Sequence, residues 1–148
     1  MKKLSLFLIL FECLALACSA QLEGAEGWKS LGKITFVNQL NAETGDVVYT
    51  PIYSKSLKAL AGKEIVLRGY VLPIPAKDGN FILSAFPFSS CYYCGGAGPE
   101  TVIEVSPKIP ILARSGKPII IKGRLRLNQP FDSLRLPFFL IDAELFSE

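Results

Sequence analysis

A chain of 148 residues, half of them apolar and carrying a net charge of +3, can bury one core but offers no strongly basic surface for nucleic acid. It contains no histidine, which removes the commonest general base and the commonest metal ligand together. Four cysteines are left as the chemically distinctive residues.

Lys2 and Lys3 precede an apolar run over 4–16, broken by Ser5, Glu12 and Cys13, and the small residues Ala15, Ala17, Ser19 and Ala20 follow. Basic, then apolar, then small is the order of a secretory signal peptide, expected here over residues 1–20. The run is too short for a membrane span, which needs ~20 apolar residues. Cleavage after Ala20 leaves Gln21 first, whereas cleavage before Cys18 would leave a lipid-modified cysteine. Ala15 stands where a leucine usually precedes such a cysteine, so the first cut is favoured. The expected location is the periplasm or envelope, with lipid anchoring through Cys18 as the alternative. Loss of residues 1–20 takes away Lys2, Lys3 and Glu12, leaving 14 basic and 12 acidic groups, a net of +2. Cys13 and Cys18 lie in or beside this segment, so the mature domain is expected to hold two thiols.

Residues 21–61 are expected to form a lead-in anchored by Trp28, a hairpin and one short helix. Ile34, Phe36 and Val37 suggest a strand, Asn41 and Gly45 a turn, and Val47, Val48 and Tyr49 the returning strand, giving a hairpin over 33–49. Over 51–61, Ile52, Leu57, Leu60 and Ala61 approximate one apolar stripe, with Lys55 and Lys58 off it. Pro51 suits a first helical turn and Gly62 a C-terminal cap.

From residue 62 the period changes to two. Strands are expected over 64–72, 81–86, 101–105, 119–127 and 136–146. In the first, Ile65, Leu67, Gly69 and Val71 share one face. In the fourth, Ile119, Ile121, Gly123, Leu125 and Leu127 oppose Ile120, Lys122, Arg124 and Arg126. Central glycines such as Gly69 and Gly123 let a strand bend where a barrel closes. The expected fold is therefore mainly β: a small five-stranded barrel of the oligonucleotide/oligosaccharide-binding (OB) type over 62–148, forming one compact domain with 21–61. An open sandwich is the alternative.

The segment 86–100 stands apart, with Cys91 and Cys94 followed by Gly95, Gly96, Gly98 and Pro99. The glycines are expected to allow positive φ and close backbone approach. Four readings compete. An oxidising compartment favours a Cys91–Cys94 disulfide, although so small a ring gains little from loop closure. Thiolates also bind zinc or copper(I), and Cys-x-x-Cys is the usual half of a zinc site. A closed zinc site needs about four ligands, so Glu100, Glu104, a partner or a second copy would have to supply the rest. Thiol–disulfide exchange is disfavoured, because residues 95–99 make a poor helix start and no βαβ pattern surrounds the pair. Nucleic-acid binding would use Lys122, Arg124 and Arg126 with Phe88, Tyr92 and Tyr93 as stacking rings; a solvated strand face and core aromatics explain the same residues.

Gly62-Lys63, Ile65, Leu67, Gly69-Tyr70 and Pro73, then residues 81–84, then the Cys91 loop, together resemble an uncharacterised family of exported bacterial proteins, a domain of unknown function. Its members share a Gly-Lys-x-Val-x-Leu-x-Gly-Tyr/Phe-x-x-Pro strand and an Ala-Cys-Ile-His-x-Pro-Pro-Pro-Pro loop. The resemblance spans about residues 57–146. Cys91 falls on the family cysteine, Tyr93 on its histidine, and residues 95–99 on its proline run. It implies an envelope protein associated with transport, metal uptake included, with Cys94 and glycines in place of the histidine and prolines.

The expected function is thus a non-enzymatic, exported β-barrel domain that binds an envelope partner or a soft metal, zinc or copper(I), through its 86–104 loop. A thiol–disulfide oxidoreductase and an interaction module with an inert disulfide are the alternatives. No nucleic acid is expected as partner, and the membrane only through a lipid anchor.

Overall fold

The computed structural model describes residues 26–42, 44–76, 78–112, 114–129 and 135–146. The expected signal segment and Cys18 lie outside them. The order is a short helix α1 (26–31), β1 (Ile34–Leu40), β2 (Val47–Tyr53), a single-turn helix α2 (Lys55–Lys58), β3 (Glu64–Val71), β4 (Phe81–Ser84), β5 (Val102–Pro107), β6 (Pro118–Leu127) and β7 (Phe138–Leu145).

The last five strands close into a barrel in the order β3-β4-β5-β7-β6. Every neighbouring pair is antiparallel except β5 with β7. This is the OB-like architecture expected from the strand pattern. Alternation also holds: Leu67, Gly69 and Val71 of β3 and Ile121, Gly123, Leu125 and Leu127 of β6 point inward, packing on Leu83, Ile103, Val105, Phe138, Leu140 and Ala143.

Both central glycines are required by close approach. A Cβ at Gly69 would stand 2.5 Å from the Ser84 carbonyl oxygen, and one at Gly123 would stand 2.8 Å from Leu140 Cγ. The register of β6 against β7 shifts between Lys122 and Arg124, opposite Asp142, which has φ of +52°. The extra residue there bends β7 around the barrel.

One end of the barrel is plugged by the N-terminal elements. Leu31 of α1, Tyr53 of β2 and Leu57 of α2 are all buried in the barrel core. Trp28 ties α1 down by donating its indole N–H to the Arg68 carbonyl at 2.8 Å.

The helix expected over 51–61 is corrected to a single turn. β2 continues through Tyr53, and Pro51 pairs with Phe36 rather than opening a helix. A two-stranded ribbon accepts proline because it leaves one side of each strand without a ladder. Ser54 then caps α2 by accepting the Leu57 amide at 3.2 Å, and Ala59, not Gly62, follows the last helical residue. The apolar spacing of Ile52, Leu57 and Leu60 came from two different elements. The hairpin itself extends four residues beyond its expected end at Tyr49, reaching Tyr53.

Candidate functional site at the Cys91–Cys94 loop

β4 ends at Ser84 and β5 begins at Val102, and the connection between them is wound into three 3₁₀ turns: Phe88–Ser90, Tyr92–Cys94 and Pro99–Thr101. The middle turn carries the cysteines. Both the Cys94 and Gly96 amides donate to the Cys91 carbonyl, each at 3.1 Å. The chain can leave this turn because Gly95 adopts φ of +75°, a left-handed conformation costly for other residues. A Cβ at Gly96 would lie 2.6 Å from the Ser90 carbonyl oxygen, so this position also excludes a side chain. Gly98 has an extended backbone, and its expected positive φ is absent; the flexible Glu100 carboxylate folds over it instead. Pro99 opens the third turn, whose end is held by the Thr101 hydroxyl donating to the Gly98 carbonyl at 2.7 Å.

The two cysteines stand in unlike surroundings. Cys91 is fully buried, packed with Leu72, Ile82 and Val102 in a small cluster outside the main core. Cys94 is exposed. Both are free thiols, which corrects the expected disulfide. The physical reason is orientation: one side chain is packed as a small apolar group beneath the loop, while the other faces solvent. Lost hydration first, and the neighbouring Cys91 second, hold the Cys94 thiol above its usual pKa range. That is opposite to the thiolate stabilisation of a thiol–disulfide exchange nucleophile.

Among the described residues, no group of three or more Cys, Asp or Glu side chains is assembled to hold a metal. Glu104 does not turn toward the thiols. Its carboxylate accepts from the Asn80 amide nitrogen at 2.8 Å and from the Arg135 guanidinium at 3.2 and 3.3 Å. Glu100 lies over Gly98. The structure thus places the two expected thiols together and directs both expected carboxylates elsewhere.

The same connection carries four exposed rings: Phe86, Phe88, Tyr92 and Tyr93. The rings of Tyr92 and Tyr93 meet edge to face at 5.3 Å. They line separate recesses. Tyr92 faces a recess shared with Phe36 and Tyr49 of the ribbon, and Tyr93 faces a cleft shared with Asn80, Glu104 and Arg135. Burial raises the Tyr93 hydroxyl above its usual pKa, with Tyr92, Cys91 and Glu104 adding to the effect.

The basic residues of β6 are accounted for by β7. Lys122 pairs with Glu144 at 3.0 Å, Arg124 lies 3.8 Å from Asp142, and Arg126 covers the Phe139 ring at 4.7 Å. This is a solvated, charge-balanced sheet face. The residues that the sequence reading missed are Asn80 and Arg135. Nothing in the sequence distinguishes them from ordinary polar loop residues, because their significance comes from meeting Glu104 across two loops.

No family model and no curated protein matches this chain.

Proposed function

We propose that this protein is an exported, non-enzymatic binding domain whose Cys91–Cys94 turn captures a soft metal ion, copper(I) in preference to zinc, with a partner able to complete the coordination. The observation that carries this reading is the pair of free thiols held in one turn, Cys91 buried and Cys94 exposed. Copper(I) accepts few soft donors, whereas a closed zinc site requires about four ligands. The exposed position of Cys94 offers the direction from which an ion or a partner's donor would arrive. The exposed rings of Phe86, Phe88, Tyr92 and Tyr93 supply apolar contact area for that partner.

The thiol–disulfide oxidoreductase reading is weaker, because Cys91 precedes and Cys94 ends a three-residue 3₁₀ turn followed by Gly95, and no α-helix N-terminus stands beside Cys91 to favour an attacking thiolate. The test is a competition titration of fully reduced, mature protein with copper(I) and, separately, zinc. One equivalent of copper(I) should bind, and Cys94→Ser should weaken binding at least a hundredfold while leaving the fold intact. A folded, fully reduced protein that takes up neither metal would sink the proposal.

A further inference from the structure

We propose that the cleft beside the thiol loop is a second binding site and that its ligand is a neutral saccharide. It encloses about 560 Å³, within the range of small-molecule sites, and lies where the β3–β4 and β6–β7 connections rise above β4 and β5. Its character comes from three features that do not depend on the cysteines.

The first is a fixed polar ladder. Asn80 and Arg135, from two different loops, both hydrogen-bond to the Glu104 carboxylate on β5. The Glu104 side chain is only 16% exposed, so these bonds hold it in place at the cleft wall. Planar amide, carboxylate and guanidinium groups arranged in this way keep spare lone pairs and N–H groups for a ligand. Such a mixture suits hydroxyls, which donate and accept at once. It does not suit a phosphate, because Glu104 already neutralises Arg135 and Asp78 adds a further carboxylate to the lining.

The second feature is a ring. Tyr93 also lines the cleft and is 44% exposed, leaving ring surface available to the C–H face of a sugar. The third is an apolar floor from Ile82 and Leu136, which would cover the ligand's remaining C–H groups. Arg135 itself lies over the Phe139 ring at 4.4 Å. The donor that would meet the ligand is therefore held by a carboxylate and by a ring.

The test is an amide-resolved NMR titration of the mature, reduced protein with tetrasaccharides of glucose and of N-acetylglucosamine in different linkages. At least one should move the amide signals of Asn80, Tyr93, Glu104 and Arg135 with millimolar or tighter affinity. Tyr93→Ala and Arg135→Gln should each weaken that binding tenfold or more, with the remaining spectrum unchanged. Cys94→Ser should leave it intact, so this proposal and the metal reading can fail separately. If no saccharide of the panel moves those signals, if the two variants bind as well as the parent, or if only an oligonucleotide or peptide occupies the cleft, the assignment is wrong.

Discussion

The Cys94 amide donates to the Cys91 carbonyl over 3.1 Å, so two thiols share one turn although Cys91 is fully buried and Cys94 exposed. This asymmetry makes their chemistry separable. In native protein lacking residues 1–20, iodoacetamide should modify one thiol per chain, at Cys94, while the same protein denatured should take up two. The rate at Cys94 should rise through a midpoint above that of an ordinary thiol, about 8.5, because lost hydration and Cys91 both favour its protonated form. Peptide mapping by mass spectrometry across a pH series reads both quantities. Equal labelling of the two residues, or a midpoint near neutrality, would contradict the arrangement.

Glu104 is committed to Asn80 and Arg135, so it should contribute nothing to metal capture. Glu104→Gln should leave copper(I) affinity within about twofold of the parent. Its cost should appear in stability, at about 1–3 kcal/mol, the usual range for a disturbed charged hydrogen bond. A tenfold loss in the same competition titration would restore Glu104 as a ligand.

The two barrel glycines should be intolerant in a way that a turn glycine is not. Gly69→Ala places a methyl 2.5 Å from the Ser84 carbonyl oxygen, where only backbone movement can relieve it. Overpacking of this kind costs about 1–3 kcal/mol or more. Gly79→Ala meets nothing within 4 Å and bears only the strain of φ at +76°, about 1–2 kcal/mol. Urea denaturation should therefore rank Gly69→Ala as the more destabilised, and the reverse order would refute the close approach.

Tyr53 couples the ribbon to the barrel. Its hydroxyl donates to the Pro137 carbonyl at 2.8 Å, and burial pushes its pKa up to about 12. A folded-state pKa raised above the unfolded value, about 10, means that this contribution is complete below pH 10. It is then lost as pH rises toward 12. Tyr53→Phe should lower stability at pH 7 by about 0.5–1.5 kcal/mol, the worth of one hydrogen bond, since the Pro137 carbonyl keeps its bond from the Asn128 amide at 3.0 Å. The variant should also flatten the fall in stability above pH 10. An unchanged alkaline profile, followed by denaturation at each pH, would count against this bond.

The limits of legibility follow the range of the interactions involved. Period-two alternation in β3 and β6, with a glycine in each, was enough to foresee a five-stranded barrel, because which face is buried is a local property of a strand. The helix expected over 51–61 failed for the complementary reason. Apolar residues at helical spacing also arise when a strand ending at Tyr53 runs into a single capped turn, and the pairing of Pro51 with Phe36 is a long-range event.

The same division applies to the site. Sequence by itself determined that Cys91 and Cys94 would lie together in one loop between two strands, and that the glycines after them would shape its backbone. Tertiary structure alone decided that Cys91 would be buried against Leu72, Ile82 and Val102 while Cys94 faced outward. It also decided that Glu104 would turn to Asn80 and Arg135, which lie 24 and 31 residues away along the chain. Closing a barrel brings separate loops to one end, and the side chains that meet there are chosen by that closure rather than by their neighbours in sequence.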